Sequence, residues 1–463
     1  MRALAGFLLS VLFFCESTAA QEVRGTTVSP NLYGSVSQGA PSGGTIALSI
    51  ADAIGKALKY NLGSILSEQE TRAFRASRLR SLSELLPKVN VSLSETVQQI
   101  NLAAFGFNGF PEQPLVVGPF SVFDARARYS QTLVDFRLLH ELHSAAEQVT
   151  ASNLAQQDVR ELVVLISTDL YLEVIAANSR LEAVRAQLKT AQAVFDRATI
   201  LRQSGVVPGI DVLRAQVQLQ GQQQRVLAAE NELAKQKLNL ARAIGLPQGQ
   251  AFTQSDTFVA APMPVPTIEE SLAVALENRP DYKRSQVLVR AADESRKAAE
   301  GRRRPSFQVN GEYGDIGRTP GFSHGTMAAS ATLLVPLYTG ERIRAEVMES
   351  ESRLEQRKAE SSNLRDRIEY EIRTANLNIQ SAADQVRVAQ AARDLAQQQL
   401  VQAQDRFAAG VTNGLEVTQA QEAVATAEEN YISSLYGLNI SEASLARARG
   451  TAERTIKSFF GGK

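Results

Sequence analysis

The sequence predicts a mostly α fold with a β-barrel contribution, built from one helix–strand–strand–long helix–helix unit duplicated in tandem. Three observations carry that prediction. First, Gly205-Val206-Val207-Pro208-Gly209-Ile210-Asp211-Val212 returns as Gly410-Val411-Thr412-Asn413-Gly414-Leu415-Glu416-Val417. The register then holds: Ala215 matches Ala420, Leu240-Ala241-Arg242 matches Leu445-Ala446-Arg447, and Gly245 matches Gly450. Second, Arg137 to Leu201 and Glu341 to Ala408 contain neither Pro nor Gly, and at about 1.5 Å per residue each makes a helix roughly 100 Å long. Third, ahead of each long helix the apolar period changes from 3.6 to 2, the signature of half-buried strands.

Residues 1–20 read as a secretory signal, with Arg2, an apolar core from Leu4 to Phe14, and small residues at Thr18 and Ala20 that suit cleavage after Ala20. Cys15, the only cysteine, lies inside it, and Phe13-Phe14 before it argue against lipidation. Residues 21–44 form an extended, irregular leader rich in Ser, Gly, Pro and Val. The first repeat spans 45–250, the second 251–450, and a tail follows at 451–463. A second register pairs the fronts of the halves: Ile50, Ala57, Leu58, Ala73, Pro87 and Val91 with Ile268, Ala275, Leu276, Ala291, Pro305 and Val309. Each half therefore opens with an amphipathic helix, expected to run to Pro87 or Pro305, where proline stops it.

Strands follow at about 88–98 and 121–133, then at about 306–313 and 326–338. In the first, Val89, Val91, Leu93 and Val97 share one parity, with Asn90, Ser92 and Ser94 on the other; in the last, Met327, Ala329, Ala331, Leu333, Val335 and Leu337 share one. The strands are joined by a Gly-, Pro- and Phe-rich loop at 101–120 and by a turn at Gly314–Gly325, both expected at the cell surface if the strands cross a membrane. After each long helix a glycine-bearing turn (Ser204–Gly209; Ala409–Gly414) leads to a return helix capped by Gly245 or Gly450.

Apolar-out, polar-in strands of this length suit a membrane barrel, although an ordinary half-buried sheet has the same alternation. Past the signal, no apolar run approaching eighteen residues is read in the sequence, so membrane entry is expected through strands. Four strands cannot close a barrel, for which about eight are needed, and about twelve from three copies is the smallest open tube. Lys plus Arg and Asp plus Glu balance at 49 each, giving no electrostatic reason to expect nucleic acid.

The element order, the duplication and two local motifs resemble the TolC family of outer-membrane efflux proteins. One motif is Leu334-Val335-Pro336-Leu337-Tyr338-Thr339-Gly340, feeding the second long helix; its first-half counterpart, Gln131-Thr132-Leu133-Val134-Asp135-Phe136, lacks the Pro. The other is Arg406-Phe407-Ala408-Ala409-Gly410 with Glu416-Val417, continuing to Gly450. The resemblance implies a homotrimer with a twelve-stranded outer-membrane β-barrel continued by a periplasmic α-helical barrel closed at its tip. It implies a periplasmic adaptor and an inner-membrane pump of the RND, ABC or MFS type as partners. It also implies that Gly205, Val206, Gly209, Gly410, Val411 and Gly414 lie at the tip and meet the adaptor. Glu416 falls where the family carries a gate aspartate; the second gate aspartate falls on Gln419, and the arginine that clasps the neighbouring subunit falls on Thr412, leaving Asp211 without that ion pair. One acidic ring and a looser latch are the expectation. Glu416 equally suits the third position of a helix capped by Asn413, where an acid stabilises the N-terminus.

No phosphate-cradling glycine loop, nucleophile elbow or catalytic cysteine is present, so neither enzyme activity nor a cofactor is expected. His140 and His143 stand at i, i+3 beside Glu141 and Glu147, but with no further ligand in view they read as solvated first turns of a helix. Two alternatives compete with a channel. A periplasmic adaptor would carry one helical hairpin flanked by β-domains, and a coiled-coil scaffold would show sustained heptads without period-2 segments.

Overall fold

A computed structural model describes residues 30–37, 39–41, 43–106, 115–260, 264, 266–412 and 414–460. The expected cleavage at Ala20, the first part of the leader, the loop core at 107–114 and the Asn413 cap lie outside the described residues. The fold is predominantly helical. A short strand β1 (Ile46–Leu48) leads into α1 (Ile50–Tyr60), α2 (Leu62–Ser83), the hairpin β2 (Lys88–Asn101) and β3 (Val116–Val134), α3 (Phe136–Gln203) and α4 (Gly209–Ile244). The second half adds β4 (Phe252–Gln254), α5 (Ile268–Asn278), α6 (Pro280–Gly301), β5 (Ser306–Gly317), β6 (Ser323–Leu334), α7 (Arg342–Ala408), α8 (Gly414–Ala448) and α9 (Ala452–Phe460).

The opening helix of each half is broken in two, where the sequence suggested one helix reaching the proline. Helix α1 begins in a Ser49/Asp52 capping box and stops at Asn61, whose side chain caps α2 by accepting from Gly63 N. Helix α5 begins in a Thr267/Glu270 box and stops at Arg279, and Pro280 starts α6 at a position whose N–H would be unpaired in any case. Both breaks receive the end of a return helix. Gly245 and Gly450 are left-handed, and a Cβ would collide with Tyr60 Cβ at the first and fall 2.8 Å from Arg279 N at the second. Asn61 Nδ2 donates to Ala243 O (3.2 Å), and Arg279 Nη1 donates to Ala448 O (3.3 Å). The duplication thus survives as an equivalent docking of helix end on helix break.

Strands β2, β3, β5 and β6 form one antiparallel sheet in that order, so the hairpins of the two halves pair through β3 and β5. Its register sorts the faces. The rows Val89–Tyr129–Gly311–Ala329 and Val91–Ala127–Tyr313–Met327 lie on one side; Asn90–Arg128–Glu312–Ala328 and Ser92–Arg126–Gly314–Thr326 lie on the other. On the polar face Arg126 pairs with Glu312 (2.6 Å) and Asp124 (3.2 Å). On the apolar face Val91 and Met327 are 80% and 86% exposed, so this surface lacks a partner among the described residues. The expected turn at Gly314–Gly325 is mostly strand, with only 318–322 connecting β5 to β6. Two of its glycines answer to strand packing: a Cβ on Gly314 would collide with Ala125 O, and one on Gly317 with Phe322 O. Strand β6 ends at Leu334, short of the expected 338, because Pro336 has no N–H to give the ladder.

At mid-length, α3 runs through a core that the sequence did not delineate. Val163, Val164, Leu172 and Val174 pack with Ile50 and Ile54 of α1, Leu240 and Ile244 of α4, and Ile456 of α9. The parallel pair β1–β4 closes this core, with Tyr171 OH donating toward Leu48 O and Asp256 Oδ2, both at 2.7 Å. This stretch corrects one expectation: α3 does contain an 18-residue window apolar enough to cross a membrane, but 67% of the window is buried inside the chain. Its hydrophobicity serves the core.

Candidate functional site at the helical tip

Helices α3 and α7 end in matching turns at the far end from the sheet. Gly205 and Gly410 are left-handed (φ 75° and 70°), a conformation that glycine takes without a Cβ penalty. Val206 N donates to Leu201 O (2.9 Å) and Val411 N to Arg406 O (3.0 Å), each turn satisfying a terminal carbonyl of its helix. Beneath the turns, Ala198, Leu201, Val212, Ala215, Ala403, Phe407, Val417 and Ala420 form a small core drawn from α3, α4, α7 and α8.

The two turns touch. An added Cβ on Gly410 would lie 3.6 Å from Val206 Cγ1, and one on Gly414 would lie 3.7 Å from Asp211 Oδ1. Gly209 packs on the Arg202 guanidinium, and an added Cβ there would lie 3.2 Å from its Cζ. Val206 and Val411 are exposed, and with exposed Ile200, Ile210, Leu213 and Leu415 around them they give this end apolar surface.

The acidic groups sit differently from one another. Asp211 is buried between the hairpins and accepts from Arg214 Nη1 at 3.2 Å, so it has a cation from its own helix in place of the expected one at position 412. Glu416 is half-buried and bridges the turn: Arg406 Nη1 donates to Oε1 at 2.8 Å, and the Thr412 hydroxyl donates to Oε2. Gln419 is located one turn further along α8. Sequence reasoning placed Glu416, Gln419, Thr412 and Asp211 together but missed Arg406 and Arg214. Arg406 was findable, because a basic residue in the last turn of one helix faces an acid in the first turn of the next across a tight reversal.

A second polar cluster fixes the middle of the molecule. Buried Arg279 donates to Asp281 (2.6 and 3.0 Å) and Glu371 (2.6 Å). Burial opposes the Asp281 charge, yet the Arg279 hydrogen bond and charge hold that carboxyl below its usual range. Asp158, the partner of Arg447, is pushed up by burial despite that arginine, and burial likewise raises Glu161, which accepts from Ala452 N at 2.8 Å.

The architecture is one of long helical hairpins joined to an amphipathic sheet whose outer strands, β2 and β6, are each paired on one side only among the described residues. Solved structures share it. The CmeC outer membrane channel of Campylobacter jejuni superposes with a TM-score of 0.74 over 93% of this chain and 94% of its own, at 16% identity. The MtrE outer membrane channel of Neisseria gonorrhoeae, in its open state, gives 0.73 over 90% and 95% at 15% identity. The pyoverdine export outer membrane protein OpmQ of Pseudomonas putida is 25% identical over 205 residues, which are 44% of this chain and 43% of that relative. The family model for outer membrane efflux proteins matches residues 66–246 and 272–451, and the chain belongs to that family. It is an outer-membrane protein with a large periplasmic helical part.

Proposed function

We propose that this chain is the exit duct of a tripartite efflux system, three copies sharing a barrel of about twelve strands. The observation that carries the reading is the four-stranded sheet: apolar on one face, charged on the other, and unpaired along β2 and β6 among the described residues. Exposed strand edges cannot persist in lipid, and closure with other copies removes them. The helices continue the duct into the periplasm, and energy comes from an inner-membrane RND, ABC or MFS pump reached through an adaptor. The pyoverdine relative supports export of small molecules as the class of work. Mass measurement in mild detergent tests the assembly: a trimer is expected, and a stable monomer overturns the shared barrel.

Under this reading Glu416, Gln419, Thr412 and Asp211 form the periplasmic gate. The exposed valines and tip glycines (Gly205, Val206, Gly209, Gly410, Val411, Gly414) form the adaptor contact. Threefold symmetry brings Glu416 from each subunit toward the axis as a single acidic ring, since Gln419 is neutral. The Arg406 pairing tempers that ring, and no arginine at 412 latches the neighbouring subunit.

A further inference from the structure

Three ligand-type side chains outside the tip meet where the two halves abut near the sheet. His140 Nδ1 lies 2.7 Å from Glu294 Oε2, His143 Nδ1 lies 3.6 Å from the same oxygen, and the three donor atoms fall within 4.8 Å of one another. The sequence offered the two histidines one helical turn apart; folding supplies the third group from α6, in the other repeat. We propose that His140, His143 and Glu294 bind a divalent transition-metal ion of the Zn²⁺ class, which staples α3 to α6.

The donor set selects that class. Two imidazoles and one carboxylate suit Zn²⁺ and its first-row neighbours, whereas Mg²⁺ and Ca²⁺ require oxygen ligands. Ligand atoms about 2.0–2.2 Å from a tetrahedral ion stand about 3.3 Å apart. The His143–Glu294 spacing already approaches this, and the His140–Glu294 pair has to open by about half an ångström. Each ring would offer its Nδ1 lone pair and carry its proton on Nε2. His143 is 54% exposed, so the ion has a path in and room for a water as a fourth ligand.

The helices that present these groups are already fixed on both sides of the site. Ser144 Oγ donates to Ala291 O at 2.9 Å, and Arg290 pairs with Glu147 at 3.1 Å. Toward the sheet, Gly301 lets α6 approach α3 so closely that a Cβ would lie 2.8 Å from Arg137 N. Lys297 donates to Glu294 Oε1 at 2.8 Å and shares its charge with Asp293 at 2.9 Å. It orients the carboxylate while leaving Oε2 toward the histidines.

The test is calorimetric titration of chelator-treated, detergent-purified full protein with ZnCl₂, with Co²⁺ absorption as a second readout of ligand type. One saturable Zn²⁺ per chain and a raised melting temperature are expected. His143→Ala and Glu294→Gln should each weaken binding roughly tenfold or more and remove the thermal shift, with oligomer mass and circular dichroism unchanged. His143 is exposed, so its loss leaves folding intact. No saturable uptake by the wild type overturns the site, as does wild-type affinity in both variants.

Discussion

Glu416 illustrates how one neighbour changes the expected behaviour of a residue. Its carboxylate is held by Arg406 and Thr412 across the α7–α8 turn, and both members of the ion pair keep substantial exposure. A pair of this kind contributes on the order of 0–1 kcal/mol to stability, so its larger effect is on the charge the tip presents. In planar bilayers, Glu416→Gln should weaken cation selectivity and divalent block, while Arg406→Gln should strengthen both by unmasking the ring. Unaltered selectivity in both variants, with a lowered melting temperature, would assign Glu416 to helix capping. Glu161 follows a different logic. Burial raises its pKa in the folded state, so the stability it contributes is full below its unfolded value and is lost as pH rises through the folded one. Glutamine keeps the acceptor for Ala452 N without the charge. Glu161→Gln should therefore raise the melting temperature at pH 8 and leave it unchanged at pH 4; equal shifts at both would remove titration from the account.

The strands test the elements in the same way. Adjacent residues on β2 face opposite sides, Val91 in the apolar row and Ser92 in the row with Arg126. Val91→Arg should destabilise the membrane-inserted protein by about 2–4 kcal/mol, whereas Ser92→Arg should be tolerated, as read by urea unfolding in lipid. Equal penalties would remove the assignment of one face to lipid and the other to water. This alternation was legible in the sequence because period 2 is a local property, and so were the long helices, whose Pro-free stretches need no tertiary information. The helix break at Asn61 was not: it receives Gly245 from well over a hundred residues away, and nothing near Asn61 announces that contact. Pro280 does mark the break at Arg279, although the docking of Gly450 there is equally distant in sequence. Gly314 misled for a related reason: glycine marks turns, but here it admits the backbone of β3. At the candidate site the turn residues were readable from the repeat, whereas the Asp211–Arg214 pair and the Glu294 approach to His140 depended on side-chain placement.

At the scale of the whole molecule, the duplication makes the tip two-sided. Val206 and Val411 occupy equivalent turns whose backbone bonds match donor for donor, yet the turns enter their return helices differently: Pro208 caps α4, while Thr412 ties back to Glu416. An adaptor docking on this end meets two similar knobs per chain, one stiffened by proline and the other by a hydrogen-bonded acid. The chain has a single cysteine, Cys15, which falls in the expected signal, so introduced thiols report without background once that segment is removed. Val206→Cys and Val411→Cys should each cross-link to a periplasmic adaptor in cells, because both side chains are exposed at the far end of helices roughly 100 Å long. Thiols placed at exposed Leu377, midway along α7, should give no adaptor product if docking is confined to the tip. Cross-links from Leu377 with none from either valine would move the adaptor to the flank of the helices and leave the tip a simple chain reversal.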